Sequence, residues 1–149
     1  MREGVRGVLV DLDNTLLPWN SSEIPPAHRA WLEEARARGI SVCVISNNHT
    51  TRVEGALREL GIPYVSSARK PLRIGFVRAL RRLGLPPEAC IVVGDQLLTD
   101  VWGAHRMGMR AVLVRPVVPT DGPHTRVNRF FERRLRRLLE RFGLWPEEG

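Results

Sequence analysis

The sequence predicts an α/β domain built on a five-stranded parallel sheet with helices on both faces. Three observations carry this reading. Short apolar runs alternate with stretches of helical periodicity along the 149 residues, the pattern of βαβ units. The runs are nearly continuous, as in Val8-Leu9-Val10, which suits strands covered on both sides. Three of them end in polar residues, where open parallel sheets place their ligands beyond the carboxyl ends of the strands.

Taken in order, residues 7–10 read as the first strand. Pro26 sits at a helix start, and residues 27–38 offer Ala30, Trp31, Leu32 and Ala35 as an inner face, with Gly39 closing the helix. Residues 40–45 form a β-branched run and a second strand. Residues 51–60 follow as a helix ended by Gly61, and residues 63–65 as a short strand. Residues 71–83 are helical, with Ile74, Val77, Leu80 and Leu83 at helical spacing. Residues 91–93 make a fourth strand, 98–107 a helix and 111–114 a last strand. A Pro-rich connection spans 115–123, and residues 126–142 form a final amphipathic helix. Nothing marks a repeat or a second domain. The expectation is one domain over 1–149, with a core at about 5–115 and a basic helical tail at about 125–142.

With 43% hydrophobic and 26% charged residues, the chain is neither disordered nor fibrous. No apolar run approaches the ~18 residues of a spanning helix. The first residues lack the apolar stretch of a signal peptide, so the expected location is cytoplasmic, with peripheral contact at the inner membrane face as an option. Cys43 and Cys90 each lie in an apolar run and read as reduced core thiols. The net charge is +7, and of the 23 Lys plus Arg only Lys70 is a lysine.

The polar strand ends carry the chemistry. After the first strand comes Asp11-Leu12-Asp13-Asn14-Thr15; after the second, Ser46-Asn47-Asn48; after the fourth, Gly94-Asp95, with Asp100 five residues on. Lys70 falls near the same rim. Carboxylates gathered there repel one another unless a cation shares them, and carboxylate oxygens suit Mg²⁺. An aspartate can attack a phosphoryl group and form an aspartyl-phosphate. A second aspartate two residues later can act as general acid and then general base. Ser46, an amide of Asn47 and an ammonium can bind the remaining phosphoryl oxygens. Each residue also has a plainer reading: aspartates after strands serve as turn residues, and Ser46-Asn47-Asn48 could cap a helix. Thr15 reads as a brace for Asp13, and His49 and His105 as structural or solvated helix residues.

The set D-x-D-x-T, S-N, K-P and G-D-x4-D, in this order from residue 8 to about 114, resembles the haloacid dehalogenase (HAD) superfamily of phosphohydrolases. The resemblance implies a three-layer, Rossmann-like HAD fold with Asp11 as nucleophile and Asp13 as general acid/base. It implies Ser46 and Asn47 as substrate-binding residues, and Lys70 as both catalytic and substrate-binding. The Mg²⁺ ligands it implies are Asp11, Asp13, Asp95 and Asp100, with Asp100 holding the metal directly, through water, or serving only to orient Lys70. The segments between Asp13 and Ser46 and between Ser46 and Lys70 are too short for the cap domains such enzymes carry, so a capless, open site is expected. More narrowly, residues 9–18, Ser46-Asn47-Asn48, Ala68-Arg69-Lys70-Pro71, residues 94–101 and Thr125-Arg126-Val127-Asn128-Arg129 resemble the YqeG family, itself similar to mitochondrial phosphatidylglycerophosphate phosphatases. That implies the phosphate of an anionic phospholipid headgroup as substrate, in phosphatidylglycerol and cardiolipin synthesis.

Between residues 126 and 141 seven arginines flank an apolar stripe of Val127, Phe130, Phe131, Leu135, Leu138 and Leu139. Such a helix can cover the sheet, lie on an anionic membrane, or do both. Two alternatives stay open. One is a phosphatase of a soluble or macromolecular ester; the other is a basic RNA- or ribosome-associated protein, disfavoured by the scarcity of aromatics outside the stripe.

Overall fold

The computed structural model describes residues 4–117, together with Arg137 and Arg141. The predicted helix at 126–142 and the Thr125–Arg129 motif therefore lie outside the described residues, apart from those two arginines.

Five parallel strands form one sheet in the order β3-β2-β1-β4-β5. They are β1 (Gly7–Val10), β2 (Ser41–Ile45), β3 (Tyr64–Val65), β4 (Cys90–Gly94) and β5 (Arg110–Leu113). β1 pairs with β2 and β4 on its two sides, so its end opens at the middle of the rim. Alternate side chains of a strand face opposite ways, and the core divides accordingly. Val8 and Val10 join Val42, Val44 and Val93 against Leu32 and Ala35 of α1 (Pro26–Ala37) and Val53 and Leu57 of α2 (Thr50–Leu57). Leu9, Cys43, Ile45 and Val92 face the other way, onto Phe76, Ala79 and Leu80 of α3 (Arg73–Leu83) and Ala104 of α4 (Gly103–Arg106). Three layers result, as expected.

Three local departures have physical causes. The helix expected from residue 71 starts at Arg73, because the turn before it is held elsewhere: the Lys70 amide donates to Asn47 Oδ1 at 2.6 Å and the Leu72 amide to the Arg69 carbonyl at 2.9 Å. Its buried side chains are Phe76, Ala79 and Leu80; Leu80 is buried as expected and Val77 and Leu83 half-buried, while Ile74 stands 59% exposed on the far side. The helix expected at 98–107 is a π-helical turn, Leu97–Trp102, followed by the four-residue α4. On α1, Leu32 and Ala35 are buried as expected, while Ala30 and Trp31 face outward.

Both cysteines are free and buried. Burial pushes the Cys43 thiol up to about 12, only weakly opposed by Arg82, and this removes it as a nucleophile.

Candidate active site

Residues 11–17 leave β1 in a tight loop. The Leu16 and Leu17 amides return to the Leu12 carbonyl, at 2.9 and 3.3 Å, while the Asn14 amide donates to the Leu17 carbonyl at 2.7 Å. Asn14 takes a left-handed conformation, φ 60°, which asparagine tolerates better than most residues. Leu12, Leu16 and Leu17 are buried beneath, anchoring the loop so that Asp11 and Asp13 stay at the rim.

Lys70 is buried between two carboxylates. Its Nζ donates to Asp11 Oδ1 at 2.8 Å and to Asp100 Oδ1 at 2.7 Å. Burial alone would drive the proton off this amine, but the Asp100 and Asp11 charges outweigh it and hold the ammonium above the ordinary lysine value. For Asp100 the direction is also upward: burial and the Asp11 charge raise it, opposed by Lys70 and by the Gln96 amide that donates to Oδ2 at 3.2 Å. Gly94 makes room for this carboxylate. A Cβ there would overlap the Asp100 side chain, which explains why strand β4 ends in glycine before Asp95.

Asp11, Asp95 and Asp100 each present a carboxylate oxygen within 4.8 Å of the others, all three buried. The Thr15 hydroxyl lies 3.2 Å from both Asp11 Oδ2 and Asp95 Oδ1, so Thr15 braces this pair and not Asp13. With all three carboxylates ionised, the cluster and its one ammonium would carry a formal charge of −2 in a buried space. A hard divalent cation would balance it, and an all-oxygen donor set is what Mg²⁺ takes.

Asp13 stands apart from this cluster. Its Oδ1 accepts from Arg52 at 2.9 Å and its Oδ2 from the Asn48 side chain at 3.2 Å. Arg52, on α2, also reaches the carbonyls of Pro18 and Trp19, at 3.3 and 3.2 Å. Nothing in the sequence marks it out among 22 arginines, and it contacts Asp13 across 39 positions. His49 has a structural role, accepting from the Arg52 amide at the start of α2. His105 is exposed on α4.

Ser46 is buried at the end of β2, where its hydroxyl accepts the Asn48 amide at 3.0 Å. The Asn47 side chain clamps the Lys70 backbone in both directions, accepting from the amide and donating to the carbonyl at 3.1 Å. This leaves the main-chain amide of Asn47, rather than its side chain, for a ligand. Asp11, Asp13, Ser46, Asn47 and Lys70 thus line one cleft of about 600 Å³, with Gln96 and Thr99 at its edge. Asp95 and Asp100 lie just behind, sharing Thr15 and Lys70 with Asp11. Among the described residues no additional domain covers the cleft: α1 with β2, and then α2 with β3, fill the intervals between the motifs.

Residues 19–108 match the model of the haloacid dehalogenase-like hydrolase family. The chain belongs to that family. It is 46% identical over 145 residues to "Probable phosphatase YqeG" of Bacillus subtilis, covering 96% of this chain and 84% of that protein. It is also 30% identical over 158 residues to phosphatidylglycerophosphate phosphatase 1, chloroplastic/mitochondrial, of Arabidopsis thaliana. That alignment takes in 99% of this chain but 44% of the plant protein, so the chain spans less than half of that relative. Among solved structures, the HAD-hydrolase YfnB of Bacillus subtilis bound to magnesium superposes with a TM-score of 0.57 at 15% identity, over 80% of this chain and 91% of that one. The fold expected from the motifs is thereby met. The expected activity class, a phosphatase, agrees with the family and with both relatives.

Proposed function

We propose that the chain is a divalent-metal-dependent phosphomonoester hydrolase acting through an aspartyl-phosphate, with phosphatidylglycerophosphate as its substrate. The observation that carries the chemistry is the arrangement around Lys70. One ammonium bonded to both Asp11 and Asp100 fixes the Asp11 carboxylate at the cleft floor, with Asp13 across from it.

In this reading Asp11 attacks phosphorus and the ester oxygen leaves, taking a proton from Asp13. Asp13 then removes a proton from water as that water attacks the aspartyl-phosphate, which releases inorganic phosphate and restores Asp11. Ser46 Oγ–H, the Asn47 main-chain amide and Lys70 stabilise the phosphoryl oxygens as negative charge gathers on them. Asp11, Asp95 and Asp100 would hold Mg²⁺, with Asp13 contributing its main-chain carbonyl. Such an ion would neutralise the carboxylates and the transferring group. YfnB's bound magnesium and the buried cluster of three carboxylates both support this.

The lipid substrate rests on the named plant relative and on the cleft, which has room for a phosphate projecting from a larger body. The chain is read as one domain whose basic C-terminal segment adds to its positive charge. The test compares inorganic phosphate release from phosphatidylglycerophosphate in vesicles with release from soluble sugar phosphates. The lipid reading expects at least tenfold higher kcat/KM on the lipid. Equal or better turnover of soluble esters would transfer the site to the soluble-substrate alternative.

A further inference from the structure

The two helical layers differ in charge. On α1, α2 and the turn that follows α2 the exposed charges are mixed, with Glu33, Glu34, Glu54 and Glu59 standing among arginines such as Arg29 and Arg58. On the opposite face α3 and α4 expose Arg73, Arg78, Arg81, Arg82 and Arg106. No aspartate or glutamate occurs from residue 69 to 87, or from 101 to 120. The net positive charge of the described residues is therefore concentrated on one side of the sheet.

That side also carries exposed apolar side chains. Leu72 is 51% exposed, Ile74 59% and Trp102 49%. They belong to one region. A Cβ on Gly103 would sit 2.7 Å from the Phe76 ring and 3.3 Å from the Pro71 Cα, so the start of α4 packs directly on the start of α3. The Arg106 guanidinium lies over the Trp102 ring, 5.0 Å from its centre. The region continues to the cleft, because Pro71 and Leu72 directly follow Lys70, and Arg69 is exposed on its other side.

We infer that the α3–α4 face docks on an anionic phospholipid surface, with Leu72, Ile74 and Trp102 entering the interface and the arginines facing lipid phosphates. Its purpose rests on the phospholipid reading above; its observations do not. Arginines attract any phosphate-bearing polymer, but Leu72 and Ile74 offer no stacking plane to a base and the Trp102 ring already carries the Arg106 guanidinium on one face, whereas all three partition readily into a bilayer interface. Charge and apolar surface together commit the face to lipid rather than RNA. Docking on this side would bring the cleft mouth to the level of the headgroups.

The test uses the full chain and co-sedimentation with phosphatidylcholine vesicles, with or without phosphatidylglycerol and free of any phosphomonoester lipid. Wild type should bind the phosphatidylglycerol vesicles at least tenfold more tightly. Each basic residue near the surface contributes about fivefold in partitioning, so Arg78→Glu with Arg81→Glu should weaken binding by at least tenfold. Arg29→Glu with Arg58→Glu changes the net charge equally on the other layer and should stay within about twofold of wild type. Ile74→Ser should weaken binding about threefold or more, an effect that persists at high salt because it is apolar. Turnover of p-nitrophenyl phosphate should be unchanged in all three variants, which shows that they fold. Equal losses from the two charge pairs would overturn the assignment, since only net charge would then matter. So would an α3 pair that keeps vesicle binding, whether or not it loses affinity for a single-stranded RNA oligomer. A protein that docks as described but spares phosphatidylglycerophosphate would remove the substrate reading alone.

Discussion

Arg52 Nη2 bonds Asp13 Oδ1 at 2.9 Å while the same nitrogen reaches the backbone carbonyls of Pro18 and Trp19. Three acceptors share two protons there, so α2, the proposed acid/base and the loop leading to α1 are joined at one nitrogen. Both partners are mostly buried, with side chains 17% and 25% exposed. Charge-assisted bonds of this kind are worth roughly 1.5–3 kcal/mol when lost. Arg52→Ala should therefore lower stability by about 1–2 kcal/mol and kcat by about tenfold or more, with Arg52→Lys recovering part of both. Thermal unfolding and steady-state kinetics measure the two effects, and an unchanged kcat would leave Arg52 a purely structural tie.

Lys70→Arg should lose about 10²-fold or more in turnover, on the scale of removing one charge-stabilising donor. The Lys70 ammonium fits between two carboxylate oxygens at 2.8 and 2.7 Å in a buried space. A planar guanidinium is wider and has to displace one of them. This also gives a reason why the single lysine among 23 basic residues stands here. Near-wild-type turnover by Lys70→Arg would remove that reason.

Stability should depend on pH through Asp100. Its folded value is raised from 3.8 to about 7, chiefly by burial and then by the Asp11 charge. A group raised on folding stabilises fully below its unfolded value and loses that contribution as pH climbs through the folded one. Metal-free protein should thus lose stability between pH 4 and pH 7. Lys70, also raised, keeps its contribution until the strongly alkaline range, so it does not obscure this window. Millimolar Mg²⁺ should raise Tm at pH 8, where the carboxylates are ionised, and leave it nearly unchanged at pH 4. Equal shifts at the two pH values would argue against the acidic site as the place of binding.

Gly94→Ala should act on the site without replacing a charged residue. The added Cβ overlaps the Asp100 carboxylate. Overpacking of this kind costs about 1–3 kcal/mol, and here the displaced group is the one holding Lys70. Lower Tm and a raised Mg²⁺ requirement for turnover are expected together. A variant that loses only stability would mean Asp100 can shift without consequence for the metal.

Much of this was legible in the sequence. The continuous apolar runs identified the five parallel strands, because strands buried on both faces leave no polar alternation. Asp11, Ser46, Lys70 and Asp95 were findable because each follows a strand or precedes a helix, and parallel topology brings those ends to one rim; Asp100 was findable by its five-residue step from Asp95. Arg52 was not, because an arginine on an amphipathic helix looks like any solvated charge until the loop at Pro18 and Trp19 is seen to fold onto it. Thr15 was placed on the wrong aspartate, since its four-residue step from Asp11 matters only after the loop closes through Leu12 and Leu17. Ile74 fits the buried row because 74, 77 and 80 share helical spacing; the helix instead turns Phe76, Ala79 and Leu80 to the sheet, and a position two residues before Phe76 lies on the opposite side.

The central claim is that Asp11 is the nucleophile, and Asp11→Asn tests it most directly. The substitution keeps the shape of the side chain beside Lys70 and Thr15 and removes the attacking oxyanion. With Mg²⁺ present, phosphate release from phosphatidylglycerophosphate and from p-nitrophenyl phosphate should both fall to background, while the melting transition stays cooperative. A folded Asp11→Asn protein retaining a tenth or more of wild-type release on either substrate would contradict the account.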